Sequence, residues 1–120
     1  MKIITINARG LNTPHKRRLL AAEAQHTRAD IVCIQETHFK HNRVPALATK
    51  DYPIQYHSTY STKARGVTIL IHKLLSFDLL QLKKDTQGRY LIIQCTINDA
   101  IYTIAGIYSP NQNQRNFLHK

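Results

Sequence analysis

The sequence predicts an α+β fold: one surface helix, then a sheet system whose strands are mostly antiparallel. Three observations carry this. A helix-forming stretch from Pro14 to about His26 follows a short apolar run, Ile31-Val32-Cys33-Ile34 reads as a strand buried on both faces, and beyond Pro53 short alternating runs are separated by turn residues. At 120 residues with 42% apolar content the chain suits one small domain or a portion of a larger one, and the composition argues against disorder.

The first element is Ile3-Ile4-Thr5-Ile6, an apolar run that stops at Asn7 and is followed by Gly10. Asn12-Thr13-Pro14 then punctuates, with Thr13 suited to the N-cap and Pro14 to the first helical turn. The helix to about His26 is rich in Leu, Ala, Lys, Arg, Glu and Gln. Its apolar face, Leu20 and Ala24 beside Leu19, is thin, so it is expected on the surface of a sheet with Lys16, Arg17 and Arg18 in solvent. The buried strand ends at Gln35-Glu36. A polar stretch from Thr37 to Pro53 should hold a short helix around Val44 to Thr49. Strands are then expected at about Gln55 to Tyr60, Val67 to Ile71, Phe77 to Lys83, Tyr90 to Ile97 and Ile101 to Ser109, with turns at Asp85 to Gly88 and Asn98-Asp99. Asn116 to Lys120 looks like the first turn of a helix that never develops, so the chain reads as a fragment or truncated frame.

Seventeen Lys and Arg against seven Asp and Glu give a net charge of +10. Such a surface attracts polyanions and favours nucleic acid as a partner, although a basic balance is also compatible with an ordinary basic protein. Cys33 and Cys95 lie in apolar runs without CxxC spacing and read as small buried hydrophobes of a reducing compartment. His38 and His41 have HxxH spacing, but no further ligand pair stands at zinc distance, and a polar loop is the plainer reading. No segment has the length of a membrane span or the apolar core of a signal peptide. An intracellular, suspected nuclear, protein without membrane contact or small organic cofactor is expected, although no residue here separates nucleus from cytosol.

A carboxylate just beyond a strand buried on both faces is held rigidly at the sheet's rim, a natural place for a metal-binding or catalytic group. Glu36 has that position, and Asn7 ends the earlier strand in the same way. With Arg65-Gly66 entering a strand and Tyr108-Ser109-Pro110-Asn111 leaving the last one, four features fall in order. Together they resemble the endonuclease/exonuclease/phosphatase superfamily, the fold of apurinic/apyrimidinic endonucleases and pancreatic deoxyribonuclease. The nearest likeness is to the endonuclease domain of LINE-type non-LTR retrotransposons. TINARGLNTPHKRRLL resembles the first strand and helix of that domain, IVCIQETH its metal strand and ARGVTILI its middle strand. KKDTQGRYLIIQ resembles a later hairpin, and TIAGIYSPN the strand leading to the active-site tyrosine.

The resemblance implies a four-layer α/β/β/α sandwich of mostly antiparallel sheets, of which residues 1–120 would be the N-terminal half of a single domain. It implies Mg²⁺-dependent phosphodiester hydrolysis on DNA, with Mn²⁺ as the alternative ion. By the same likeness Glu36 binds the metal, Asn7 orients metal or phosphate, Tyr108 places its phenol near the scissile phosphate, and Asn111 contacts phosphate. Arg9, Lys63 and Arg65 flank the rim as candidate contacts to DNA phosphates. Each has a plainer reading: Glu36 a loop acid, Asn7 a turn cap, Tyr108 a half-buried strand aromatic. Arg9 departs from relatives that carry an acid or amide there. Nothing matches the family's later Asp-x-Asn and Asp-His pairs, so the chain alone is expected to lack a general base and to be inactive. Apolar runs at Val67 to Ile71, Leu91 to Ile93 and Ile104 to Ile107 would then show a face meant for a missing sheet. Two other readings stand beside this one: a non-catalytic or vestigial nucleic-acid-binding fragment, and a phosphoesterase acting on a small phosphate or inositol lipid.

Overall fold

The computed structural model describes residues 1–47 and 50–109. Its elements are β1 (Ile3–Asn7), α1 (Pro14–Thr27), β2 (Ile31–Gln35), β3 (Ile54–Ser58), β4 (Val67–Ile71), β5 (Phe77–Lys84), β6 (Tyr90–Ile97) and β7 (Ala100–Ile107). The first four strands form one sheet in the order β1-β2-β4-β3, and the last three form a second in the order β5-β6-β7. Only β1 and β2 run parallel, which fits their connection through a crossover helix; the other pairings are antiparallel.

The helix begins where the sequence places it. Thr13 accepts the Lys16 N–H on its hydroxyl, and Pro14 occupies the first turn, where a missing N–H costs nothing. It ends when Arg28 turns left-handed at φ 55° and donates its N–H to the Gln25 carbonyl. Lys16 and Arg17 are not solvated as expected. Lys16 Nζ donates to the Arg9 carbonyl at 3.0 Å and Arg17 to the Leu11 carbonyl at 3.0 Å, so both staple the loop between β1 and α1. Arg18 alone of the three stands in solvent.

Strand β2 is the centre of the molecule because alternate side chains serve two cores. Val32 and Ile34 join Leu20 and Ala24 of the helix, Phe39, Leu47, Tyr52 and Leu70. Ile31 and Cys33 face the other way and meet Val67, Ile69 and Ile71 of β4 and Leu91, Ile93, Cys95 and Ile97 of β6. The result is three stacked layers: helix, four-stranded sheet, three-stranded sheet. Burial of each Ile, Val or Leu contributes roughly 1.5–3 kcal/mol, so the two cores outweigh the thin face of the helix. Tyr52 adds a polar tie across the first core, its buried hydroxyl donating to Ala24 and Ala29 carbonyls at 3.1 and 2.8 Å.

Several expectations need correction. The runs Val67 to Ile71, Leu91 and Ile93 do not await a missing sheet. They are buried against each other, because the chain divides its strands between both sheets of the sandwich. Of the three runs, the third is the one that stays partly open: Ile104 is buried, but Ile107 is 59% accessible, and Ile101 on the same strand is 67% accessible. Residues 44–47 are irregular rather than helical, since Pro45 interrupts and Leu47 drops into the first core; Ala48 and Thr49 lie outside the described residues. The strands expected at Gln55 to Tyr60 and Ile101 to Ser109 each begin one residue earlier and end two earlier. The helical turn expected at Asn116 to Lys120 lies outside the described residues. Cys33 and Cys95 are buried free thiols, and burial pushes Cys33 up to about 11, away from thiolate chemistry at neutral pH.

Candidate active site

Parallel pairing of β1 with β2 sets Asn7 opposite Gln35, so both strands end at one rim. Asn7 ends its strand by accepting the Arg9 N–H on its side-chain oxygen at 3.2 Å, a local turn that leaves Arg9 left-handed at φ 52°. The turn-cap reading of Asn7 therefore describes one of its contacts without excluding a second role, because an amide oxygen has two lone pairs.

Past Gln35 the chain does not leave the sheet cleanly. Glu36 turns left-handed at φ 56°, Thr37 is fully buried, and His38 turns left-handed again at φ 64°. Backbone bonds continue on both sides. Gly10 N–H donates to Glu36 O at 2.7 Å and Leu11 N–H to Thr37 O at 2.9 Å, while Thr37 N–H reaches Gly66 O and His38 N–H reaches Arg65 O. Left-handed non-glycine residues cost about 1 kcal/mol or more each and persist where surroundings over-determine them, as such residues commonly do at functional sites. Glu36 is thereby fixed with only 7% of its surface exposed. Its Oε1 lies 3.9 Å from His38 Nε2.

The same lacing reaches the other expected residues. Gly66, at φ 100°, donates its N–H to Gly88 O in the β5–β6 turn, and a Cβ at Gly66 would collide with the Thr37 hydroxyl. Arg65 is left-handed and half-buried, its guanidinium 4.4 Å above the Tyr60 ring. Lys63 stands exposed on the β3–β4 loop, and Arg9 is exposed beside Asn7. Tyr108 follows β7, donates its N–H to Arg89 O at 2.7 Å and packs half-buried against the inter-sheet core. Asn7, Arg9 and Glu36 thus stand at the ends of β1 and β2, Arg65 is bonded to the segment that follows Glu36, Tyr108 is tied to the β5–β6 turn that Gly66 meets, and Lys63 is on the adjoining loop. Asn111 lies outside the described residues.

Three contributors were not singled out from sequence. Thr37 forms the buried floor beneath Gly66. Asp85 and Arg89 form a paired clamp in which the guanidinium donates to both carboxylate oxygens, Nε to Oδ2 at 2.7 Å. This contact holds the Asp85 carboxyl down at about 2, and the Arg89 carbonyl of the same turn receives Tyr108. The i, i+4 spacing around a Gly-containing turn was the available signal. The HxxH pair separates: His38 faces Glu36, whereas His41 Nδ1 is hydrogen-bonded to the Thr59 hydroxyl at 2.7 Å.

A carboxylate beside an amide offers hard oxygen donors, the set that Mg²⁺ or Mn²⁺ accepts while keeping several waters. Among the described residues no group of three His, Cys, Asp or Glu side chains comes together as a fuller protein cage. The donor chemistry fits a divalent ion held by few protein ligands.

A profile of the Endonuclease/Exonuclease/phosphatase family matches residues 4–114. Solved structures with the same fold include the AP endonuclease LMAP from Leishmania major, 18% identical with a TM-score of 0.69, the match covering 97% of this chain and 43% of that one. The endonuclease domain of TRAS1, a telomere-specific non-LTR retrotransposon, is 17% identical with a TM-score of 0.62, over 98% of this chain and 50% of that one. D. rerio TDP2 complexed with single strand DNA product is 20% identical with a TM-score of 0.65, over 100% and 54%. At these identities the likeness is one of fold, and the chain spans about half the length of the structures it matches.

Proposed function

Because the chain belongs to the Endonuclease/Exonuclease/phosphatase family, whose members generally use divalent metal ions, we propose that it is the N-terminal portion of a Mg²⁺-dependent DNA endonuclease domain of retrotransposon type. The observation that carries this reading is the rim itself. Parallel registration of β1 and β2 brings Asn7 beside the Glu36 segment, and that segment is locked from both sides by backbone hydrogen bonds.

In this reading Glu36 and Asn7 hold the ion, with Mn²⁺ able to replace Mg²⁺. The chemistry a divalent ion would supply there is neutralisation of phosphate charge and stabilisation of the leaving oxygen. The remaining work falls to the chain's own groups. Glu36 is oriented by a backbone with no freedom to swing, and His38 at 3.9 Å adds a polar neighbour to its carboxylate. Tyr108 is anchored through its N–H to Arg89, which directs where its phenol can reach. Arg9, Lys63, Arg65 and Asn111 supply contacts to DNA phosphates, which give affinity without reading sequence. In this reading the base that activates water is not among the described residues, so residues 1–120 alone are proposed to bind metal weakly and leave DNA intact. The rest of the domain in a longer parent would supply that base.

The net charge of +10, which attracts polyanions whether or not they are cleaved, favours one second reading, a non-catalytic nucleic-acid-binding piece of the same fold. Plasmid nicking separates them. A supercoiled plasmid with Mg²⁺ is treated with residues 1–120, with a Glu36→Ala variant, and with a form extended by downstream coding sequence. Nicking that requires both the extension and Glu36 is expected. Robust Glu36-dependent nicking by the short chain would refute its inactivity, and failure of every form would favour the non-catalytic reading.

A further inference from the structure

A second polar pocket adjoins the rim on the side away from β1, between the outer edges of the two sheets. It is a cavity of about 290 Å³ lined by His41, His57, Thr59, Lys84, Asp85 and Thr86. Its walls come from the end of β3, the end of β5 and the β5–β6 turn. That turn is seated on the rim by three contacts: Ser58 Oγ donates to Asp85 O at 2.7 Å, Gly66 N–H to Gly88 O at 2.9 Å, and Arg65 to Gln87 O. The pocket therefore has a fixed place relative to Glu36.

Its charge is one-sided. Lys84 has no ion pair among the described residues. The single acid in the wall, Asp85, is already neutralised by the two-pronged contact from Arg89. His57 is held neutral, brought down to about 4 mainly by burial and secondarily by the Lys84 charge, with its Nδ1 occupied by the Thr68 hydroxyl. His41 has Nδ1 committed to Thr59, which leaves Nε2 for a further partner. With the Thr59 hydroxyl donating to His41 Nδ1, the Nε2–H, the Lys84 ammonium and the Thr86 hydroxyl are donors around a cavity whose described lining has no free carboxylate, a site that suits a tetrahedral oxyanion.

We propose that this pocket is a phosphate subsite, distinct from the Glu36 centre, that receives a backbone phosphate of the nucleic acid to one side of the bond presented at the rim. The assignment to nucleic acid rests on the function proposed above; the affinity for phosphate does not. Lys84 supplies the charge, His41 Nε2–H and the Thr86 hydroxyl supply directed hydrogen bonds, Thr59 fixes the imidazole by donating to its Nδ1, and the Asp85–Arg89 clamp keeps the wall rigid.

Two measurements on the 120-residue chain test it, with Lys83→Ala as the control. Lys83 carries the same charge one residue earlier on β5, is exposed and does not line the pocket. Inorganic phosphate titrated into the chain should shift the imidazole NMR signals of His41 saturably, and Lys84→Ala should abolish the shift while Lys83→Ala retains it. In duplex oligonucleotide binding, Lys84→Ala should weaken affinity about 5- to 10-fold at low salt and reduce the slope of log K against log salt by about 0.9, one phosphate's worth. Lys83→Ala should leave that slope unchanged. Absence of a His41 response to phosphate overturns the subsite, whatever the nuclease assays show. A phosphate response with equal effects of both lysine variants on duplex binding overturns its role on nucleic acid. A phosphate response that depends on Lys84, in a chain that binds no duplex, supports the subsite and counts against the nuclease reading alone.

Discussion

Gly66→Ala tests whether the rim is as tightly laced as its contacts imply. Gly66 lies at φ 100°, and a Cβ there would run into the Thr37 hydroxyl and approach the His38 nitrogen to 3.4 Å. A left-handed alanine costs roughly 1 kcal/mol in backbone strain. Overpacking against a fully buried Thr37 costs typically 1–3 kcal/mol more, because neither side chain has a free rotamer to retreat into. The sum is about 3 kcal/mol. With an unfolding entropy of about 2.1 cal/mol/K per residue, that lowers Tm by roughly 12 °C for a chain of this length. Urea and thermal unfolding followed by circular dichroism should show the loss with an unchanged m-value. Thr37→Ala separates the two parts. Thr37 Oγ1 is buried without a hydrogen-bond partner among the described residues, so its loss costs little and the single variant should lose only about 1 kcal/mol for the buried methyl, while in the Gly66→Ala background it should restore the steric share of about 2 kcal/mol. A loss below about 1 kcal/mol for Gly66→Ala, or no recovery in the double variant, would refute the close packing on which the fixed position of Glu36 depends.

Acid should unfold the protein in two stages. His57 is depressed to about 4 from 6.5, so the fold favours its neutral form; stability is complete above pH 6.5 and declines as pH falls toward 4, by roughly 3 kcal/mol. His57→Gln should flatten that stage in urea melts taken between pH 7 and 4. Asp85 is lowered to about 2 from 3.8 by its Arg89 contacts, so its contribution is complete above pH 3.8 and is lost as pH falls through 2. Half-exposure of Arg89 limits this second stage to about 1 kcal/mol, and Asp85→Asn should remove it. Ile101→Lys and Ile107→Lys, at the most exposed apolar positions of β7, should change stability by less than about 0.5 kcal/mol. They should also raise the concentration at which light scattering first reports association, since β7 is otherwise an uncharged edge strand.

The parts of the fold that were legible in the sequence are those governed by local chemistry. Thr13-Pro14 marked the helix start because a hydroxyl cap and a fixed φ act within one turn, and Ile31 to Ile34 read as doubly buried because all four side chains are apolar. Division of the strands between two sheets was not legible. Alternation in Leu91, Ile93 and Cys95 says that one face is buried but not which strand it meets, and that partner, β4, lies a whole strand and two turns earlier. Lys16 and Arg17 were misread for a related reason: their lengths let them reach backward to loop carbonyls, a contact invisible to helical periodicity. At the site, Asn7 and Glu36 were readable as strand-end residues. Thr37 was not, since its role arises from loops meeting in space, and Asp85 and Arg89 offered only their i, i+4 spacing, which does not say that their turn meets Gly66 and Tyr108.

The division of labour in the rim bears on what this half of the fold can do alone. Much of the expected site is laced within residues 1–109: the Glu36–Thr37 segment between Gly10, Leu11 and Gly66, Tyr108 on Arg89, and the Arg65 side chain on Tyr60 and the β5–β6 turn. Both hydrophobic cores also close within those residues. In the proposed reading, then, the rim's shape is set largely by these residues, whereas its chemistry needs further chain. If that is correct, metal and phosphate affinities of residues 1–120 should change little when downstream sequence is added, and only the nicking rate should rise. A large gain in Mg²⁺ affinity on extension would instead mean that Glu36 is completed by ligands from outside, and that the rim is a scaffold waiting for its site rather than a site waiting for its base.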